Sequence, residues 1–297
     1  MATAMKGLSW LLLAFLLAPW AVGAKQLQAM EARYELLRQV DDAAFGNPDL
    51  ERARLIGGEF DRLFPDLEPA SALSDHDLPI AFKAADTAIF YTADRKHAAI
   101  LARLFAELER RGLATPDHVE SMQAAYVQTR LFDEAIELQD AHPALEALPV
   151  MVGKEESARS AWVFHPTRNE IRLEPATLGH GPAIVVVTHP ACHFSQEAFR
   201  AIEGDAGLLA LFADHAQLIA PSARRFEVAL FQQWNREHPG LPMRLAYDRS
   251  QWPQLEAWST PTFYFFQDGR LQAVVDGWPK GGRKDDLLAA ARKIGLP

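Results

Sequence analysis

The chain has 297 residues, 49% of them hydrophobic and 23% charged, which is the composition of a globular protein and argues against a disordered chain. Its formal net charge is −9, and basic residues are interleaved with acidic ones without forming a block, which argues against nucleic-acid binding. One domain usually takes ~100–200 residues, so we expect two domains and a targeting segment.

Residues 1–24 have the three parts of a secretory signal. Lys6 provides a positive charge, the stretch 8–22 is almost wholly apolar, and the residues up to Ala24 are small enough for a signal peptidase. We therefore expect export, cleavage after Ala24 and no stable membrane span afterwards. The alternative is an uncleaved anchor, since the apolar run approaches the ~20 residues that cross a bilayer.

Residues 25–150 show helical periodicity and few strand-like runs. A helical hairpin is expected first, with its turn at Asn47-Pro48-Asp49. Thr115 is placed to cap a later helix, with Pro116 at its first position. The last two helices resemble a tetratricopeptide pair, but no fixed repeat period supports this, so an irregular helical array is preferred. After the hairpin, helices are expected at 80–91, 94–111, 116–129 and 132–139.

The pattern changes near Pro149, and residues 151–297 alternate between strands and helices. The run 183–188 is rich in β-branched residues, which is typical of a strand buried on both faces. The turn at Asp268-Gly269 predicts a β-hairpin near the end. We expect strands at 161–164, 170–173, 183–188, 217–220, 243–247, 262–266 and 271–275, and helices at 194–203, 224–237 and 284–294, with a short helix after 203.

Cys192 is the one cysteine of the chain, so no intramolecular disulfide can form. It lies in the segment His189-Pro190-Ala191-Cys192-His193-Phe194-Ser195, between a buried strand and a helix. A thiol at a helix N-terminus faces unpaired backbone N–H groups and the positive end of the helix dipole, which favour the thiolate. Ser195 follows one helical turn later, where its hydroxyl can donate to the thiolate, and a protonated His193 or His189 would add positive charge.

The order of elements and two motifs resemble the thioredoxin fold over Ser157 to Leu296. The first motif is the segment around Cys192, and the second is Ser259-Thr260-Pro261-Thr262-Phe263, which enters an aromatic-rich strand. The resemblance implies a central mixed sheet flanked by helices, with Pro261 in the cis form against the sulfur. The extra hairpin before the strand at 183–188 also resembles exported thioredoxin-like proteins of bacterial envelopes, which implies a periplasmic location.

The chain departs from the dithiol members of this family. Ser195 stands where the resolving cysteine would be, so the usual two-cysteine redox cycle is not expected. Val186 replaces a buried acid, and Ala191 replaces the aromatic residue that precedes the cysteine. Cys192, Phe194 and Ser195 instead match the C-x-F-S motif of the monothiol branch of the protein disulfide isomerase family, which holds clients through mixed disulfides.

The leading hypothesis is an α/β thioredoxin-like domain, preceded by a helical domain, that forms mixed disulfides with a protein client or a low-molecular-weight thiol. Cys192 is expected to be the nucleophile, with Ser195 and His193 in support. The backbone at Thr260 and Pro261 is expected to pair with the extended chain of the client. No cofactor and no metal are expected.

Two alternatives stay open. The thioredoxin-like domain can be a non-catalytic scaffold whose helical region binds a partner, with Cys192 a small semi-buried residue. His189, Cys192 and His193 can also bind a soft metal such as copper(I) or zinc. The metal site is less favoured, because adjacent residues point in different directions where a helix begins and the chain has no second cysteine.

Three tryptophans and two histidines have plainer interpretations. Trp234, Trp252 and Trp258 are expected in the core, although they can alternatively line a client groove. His215 and His238 are expected at a loop or helix end, and the sequence suggests no partner for either.

Overall fold

The computed structural model describes residues 29–154 and 157–297. The expected signal, residues 1–24, lies outside the described residues. Within the part of the chain that is described, no helix combines the length and the apolar character needed to cross a membrane.

Six helices come first, in the array that the helical periodicity predicts. They are α1 (Met30–Ala43), α2 (Asp49–Leu63), α3 (Asp77–Thr92), α4 (Arg95–Arg110), α5 (Pro116–Gln128) and α6 (Phe132–Ala141). Thr115 caps α5 as predicted: its hydroxyl accepts the backbone N–H of His118, and its own N–H donates to Nδ1 of His118. The facing sides of the helices pack into one apolar core, whose fully buried members include Leu37, Ile56, Phe60, Leu78, Ile89 and Leu101.

Eight strands form one mixed sheet. They are β1 (Val150–Val152), β2 (Ser160–Phe164), β3 (Glu170–Pro175), β4 (Pro182–Val187), β5 (Ala216–Ala220), β6 (Met243–Ala246), β7 (Thr262–Gln267) and β8 (Arg270–Asp276). Their order is β1-β3-β2-β6-β5-β4-β7-β8, with β4, β5 and β6 parallel and β7 antiparallel to β4. Residues 184–187 of β4 are fully buried, which confirms the expectation of a strand covered on both faces. The short strand β1, which pairs with β3, was not predicted, because three residues are too few to show a periodic pattern.

Four helices pack on one face of this sheet and share one apolar core with it. They are α7 (His193–Glu203), α8 (Ala206–His215), α9 (Val228–Glu237) and α10 (Lys284–Lys293). The opposite face packs against Trp252, Leu255 and Trp258, and among the described residues its apolar cluster includes no residue of α1–α10. The expected sheet flanked by helices is thus found with helices on one face and a tryptophan-rich segment, residues 248–260, on the other. Trp252 and Trp258 are buried in that role, as the packing interpretation predicts.

Helix α9 begins at Val228, later than the predicted residue 224. Glu227 has a left-handed backbone with φ of 41°, which a right-handed helix does not contain. The side chains of Arg224 and Arg225, which precede it, form ion pairs with Asp86 of α3 and Glu120 of α5. The predicted helix is therefore shorter than expected because the backbone leaves the right-handed region at Glu227.

The helical region lies against the loops that follow β5 and β6. The two arginine pairs just described tie the loop after β5 to α3 and α5. After β6, Asp248 pairs with Arg130 at 2.7 Å, and Arg249 pairs with Asp49 at 3.1 Å. Because β4, β5 and β6 are parallel, the turn after β4 leaves the same edge of the sheet as these loops. The helical region therefore lies at the edge that carries Cys192.

Candidate functional site

Cys192 lies in the turn between β4 and α7, immediately before the first helical residue, His193. Its backbone N–H donates to the carbonyl of His189 at 3.0 Å, and its own carbonyl accepts the N–H of Gln196 at 3.0 Å. Its side chain is partly buried and free of any disulfide. The sulfur therefore stands at the N-terminus of a helix, where the helix dipole favours a negative charge.

Thr260 faces this sulfur from the other side. The Thr260–Pro261 peptide bond is cis, and Sγ of Cys192 lies 3.2 Å from the carbonyl oxygen of Thr260, within reach for the thiol to donate to it. The loop is anchored where it enters β7: Gly277 N–H donates to the carbonyl of Pro261 at 2.9 Å, and the hydroxyl of Thr262 donates to Asp276 at 2.8 Å. The geometry thus brings together two segments that lie 68 residues apart in the chain.

The surroundings hold the pKa of Cys192 below its usual value. Burial raises this pKa, but the side chains of Thr260 and Ser195 and the backbone N–H groups of Ser195 and Phe194 stabilise the thiolate and outweigh the burial. The carbonyl of Thr260 acts in the other direction, because it can accept only from the protonated thiol. The sulfur therefore has partners in both protonation states, and the larger number of donors favours the thiolate.

Ser195 is fully buried on the side of α7 that faces the sheet. Its hydroxyl oxygen makes no hydrogen bond of ordinary geometry to any described residue, yet it acts on the sulfur of Cys192 strongly enough to lower the pKa. A buried hydroxyl without a partner costs free energy. The thiolate of Cys192 is the acceptor to which the hydroxyl of Ser195 can donate. A second such hydroxyl belongs to Thr188, which is also fully buried and follows the last residue of β4.

The two histidines that flank the cysteine face different carboxylates. The exposed imidazole of His193 has its Nε2 atom 3.1 Å from Glu197 on the next turn of α7, and it is absent from the groups that shift the pKa of Cys192. Nε2 of His189 lies 3.4 Å from a carboxylate oxygen of Glu227. The structure therefore brings Ser195, Thr260 and Pro261 to the sulfur, while the expected support from His193 stays a prediction.

A metal site at His189, Cys192 and His193 has little geometric support. Among the described residues, the ligand atoms of these three side chains do not converge within the few ångströms that one ion requires. One group that does converge is Glu31, His76 and Asp77 on the helical region, away from the sulfur. Exposed acidic groups of this kind are common without an ion, so we assign it no function.

Sequence reasoning missed several partners of the site. The pairing of His189 with Glu227 joins residues with no shared motif, and no signal in the sequence announces it. The burial of Thr188 agrees with the prediction of a buried strand at 183–188, but the sequence did not single out its hydroxyl. The sequence suggested no partner for His238, and the structure gives it two: its Nδ1 atom lies 2.6 Å from Glu203, and its ring stacks on Trp234 at 3.9 Å.

The site can perform nucleophilic chemistry at one sulfur. The thiolate is the form of cysteine that attacks a disulfide, and its pKa decides how much of it is present near neutral pH. The side chain of Phe194 is 55% exposed beside the cysteine and offers an apolar contact to an approaching molecule. Comparison of the chain with protein-family models, with curated proteins and with solved structures finds no match.

Proposed function

We propose that this chain is an exported thioredoxin-like protein that forms mixed disulfides with a protein client or a low-molecular-weight thiol through Cys192. One observation carries the proposal: a sulfur at a helix N-terminus lies 3.2 Å from the carbonyl of Thr260, next to a cis peptide bond. The lowered pKa of the thiol supports the same interpretation.

The arrangement of the sheet supports a thioredoxin-like fold. Strand β4 leads directly to the cysteine and α7, β5 pairs parallel to β4 on one side, and β7 pairs antiparallel on the other. The β7–β8 hairpin and α10 complete the domain. This is the order of elements that the resemblance implies for the family.

The proposed reaction is thiol–disulfide exchange. The thiolate of Cys192 attacks one sulfur of a client disulfide, a new S–S bond forms to Cys192, and the other client sulfur leaves as a thiolate that takes up a proton. An external thiol then attacks the mixed disulfide, forms a disulfide with the client and returns Cys192 as a thiolate. Ser195 has no sulfur, so this second step depends on the external thiol.

The client is expected to bind as an extended chain along the cis loop. Pairing as an added strand recognises the backbone of the client more than its side chains. The exposed ring of Phe194 would add an apolar contact to the client beside the sulfur. The same position also accepts a small thiol, for which the backbone pairing is not needed.

The test measures the reactivity of the thiol. Alkylation of Cys192 as a function of pH is expected to give a pKa below ~8.5, the value of a free cysteine, and incubation with glutathione disulfide is expected to add one glutathione by mass. Cys192→Ser is the control and should add none. A measured pKa at or above the free value, together with no adduct, would remove the proposal.

A second test restores the missing sulfur. Ser195→Cys places a thiol one helical turn after Cys192, the spacing of the dithiol family members, and the variant is expected to form an internal disulfide and to release bound clients without an external thiol. Ser195→Ala is the matched control, since it removes the hydroxyl and adds no sulfur. Accumulation of the same mixed disulfides in both variants would show that a thiol at position 195 does not reach the mixed disulfide, which would contradict the proposed geometry of the site.

Three exposed hydrophobic side chains on the helical region favour a second candidate, a binding protein that uses no sulfur chemistry. Phe45, Leu50 and Phe90 are 81%, 78% and 53% exposed. Large apolar side chains on a surface mark interaction sites when they cluster. Capture of partners from the native compartment, separated with and without reductant, distinguishes the two: Phe45→Ala with Phe90→Ala would abolish capture in this case, while Cys192→Ala would leave it intact.

Export is part of the proposal and has its own test. The mass of the protein isolated from the periplasm of a bacterial host is expected to equal that of the chain beginning at Lys25. Recovery of the full-length chain in the membrane fraction would favour the uncleaved anchor instead.

A further inference from the structure

We infer that His189 is a positioning residue: its neutral imidazole holds the turn that presents Cys192, and the turn loosens when the imidazole takes up a proton. The inference rests on the proposed function only in treating Cys192 as the reactive group. Two observations carry it. The first is the pair of hydrogen bonds that His189 accepts from the turn, and the second is the contact of its ring with Glu227 and with Phe231 on α9.

The first observation is that His189 holds the turn at two points. Its Nδ1 atom accepts the backbone N–H of Ala191 at 3.2 Å, and its carbonyl accepts the N–H of Cys192 at 3.0 Å. The two N–H groups belong to consecutive residues, the second of which is the cysteine itself. The position of the sulfur therefore depends on both ends of His189.

The second observation fixes the tautomer. Because Nδ1 accepts a hydrogen bond, the proton of the neutral ring lies on Nε2, which is 3.4 Å from the carboxylate of Glu227. The ring edge also meets the ring of Phe231 on α9, with centroids 5.7 Å apart. Both nitrogens of His189 are thus occupied, and the imidazole has little freedom to turn.

Protonation breaks one of these contacts and keeps the other. A proton on Nδ1 makes it a donor that faces the N–H of Ala191, so this hydrogen bond is lost, while Nε2 still donates to Glu227. Burial lowers the pKa of His189 and outweighs the opposing effect of Glu227, so the ring is neutral at pH 7 and takes up its proton under acid conditions.

The charged groups around the His189 ring decide whether its protonation raises or lowers the reactivity of Cys192. Glu227 faces His189 from the segment before α9, α9 itself contributes the uncharged ring of Phe231, and His193 on α7 faces Glu197 instead. An imidazolium would by itself attract the thiolate and raise its population. Because the carboxylate of Glu227 balances that charge, the loss of the hydrogen bond to the turn is expected to dominate.

The chain offers a matched pair of substitutions. Asparagine does not titrate, and its side-chain oxygen can accept an N–H two residues later, so His189→Asn keeps an acceptor for Ala191 at every pH. His189→Leu removes the acceptor at every pH. His193→Asn is the control for a histidine that adjoins Cys192 without holding the turn.

The experiment follows three signals of the whole protein between pH 4 and pH 8. Nuclear magnetic resonance reports the titration of the His189 ring and the amide shift of Ala191, and the alkylation rate of Cys192 is divided by its thiolate fraction, measured from ultraviolet absorbance. In the wild type the three are expected to share one midpoint, and the rate per thiolate falls about fivefold on the acid side, equivalent to about 1 kcal/mol for one hydrogen bond. His193→Asn, whatever its effect on the rate itself, should keep the acid-side fall at the wild-type midpoint, because His193 does not accept a hydrogen bond from the turn.

The variants decide between this inference and its rivals. His189→Asn is expected to lose the acid-side fall, and His189→Leu to show the lowered rate at all pH values. The inference would be overturned if the amide shift of Ala191 does not follow the titration of the His189 ring. It would also be overturned if the alkylation rate per thiolate of His189→Asn still falls at acid pH. A shared midpoint without any mixed disulfide would leave the inference standing and remove the proposed function, so the two fail separately.

Discussion

Replacing Ser195 by alanine is expected to change the stability of the protein and the reactivity of its thiol in opposite directions. The hydroxyl is fully buried and without an ordinary partner among the described residues, and such a group costs about 1–3 kcal/mol. Its removal should therefore raise the free energy of unfolding by about 1 kcal/mol at a pH below the pKa of the Cys192 thiol, where the hydroxyl has no charged acceptor.

The same change should weaken the thiolate of Cys192. A hydrogen bond to a charged group contributes about 1.5–3 kcal/mol, and the partial exposure of the sulfur reduces this to roughly 1.4 kcal/mol. The pKa of the thiol should therefore rise in the variant, and the thiolate fraction at pH 7 should fall. The gain in stability should shrink as the pH rises through the pKa of the thiol, because in the wild type the hydroxyl then has a charged acceptor.

Thr188→Val is the matched control for Ser195→Ala. It removes a second fully buried hydroxyl that has no partner in the described part of the chain, whereas the groups that lower the pKa of Cys192 belong to Thr260, Ser195 and Phe194. Urea unfolding at pH 5 and at pH 9, with alkylation across the same range, should show a gain in stability at pH 5 for both variants and a raised thiol pKa for Ser195→Ala alone. Equal thiol pKa values in the two variants, or a loss of stability in both, would refute the reasoning.

Three further predictions concern the rest of the fold. Hydrogen bonds from Arg110 and Arg111, at the end of α4, lower the pKa of Glu107 to about 2, below its value in an unfolded chain. The stabilisation from this carboxylate is complete above about pH 5 and is lost as the pH falls towards 2. Urea titrations should therefore show a wild type more stable than Glu107→Gln at pH 6 and equal to it at pH 2, and a constant difference would contradict this. Asp86→Asn breaks a largely buried pair with Arg224, so it should lower the free energy of unfolding by about 1–2 kcal/mol and speed hydrogen exchange in the loop after β5. Glu120→Gln removes an exposed pair with Arg225 and should cost less than about 0.5 kcal/mol. Equal costs for the two substitutions would refute the argument from burial. Trp252→Ala opens a cavity under the face of the sheet that residues 248–260 cover and should cost about 3–5 kcal/mol by thermal or urea unfolding, while a cost below about 1 kcal/mol would show that this segment does not close the core.

Most elements of the fold could be predicted from the sequence, because their signals are local. The β-branched run 183–188 predicted β4 with an error of one residue at each end, and Asp268-Gly269 predicted the β7–β8 turn, where both residues have positive φ. Thr115 and Pro116 marked the start of α5 correctly. Each of these signals depends on neighbours within a few residues.

The errors arose where distant residues decide the structure. Helix α9 lacks its expected first turn: Glu227 is left-handed, and arginines 224 and 225 instead pair with Asp86 and Glu120, more than 100 residues earlier in the chain. The second face of the sheet is covered by residues 248–260, although nothing in the pattern of that segment separates it from an ordinary loop. Periodicity reports which side of an element is apolar, but it does not report what packs against that side.

The site shows the same division. By itself, the sequence determined that one sulfur stands where a buried strand meets a helix, with a hydroxyl one turn later, since these relations are fixed by helix geometry. The approach of the loop at Thr260 and Pro261 to the sulfur was expected from the family resemblance, and only the tertiary structure decided that Glu227 meets His189. The physical reason is that parallel strands end at one edge of a sheet, so loops far apart in the chain are brought into contact there, and which side chains meet depends on the packing of the whole domain.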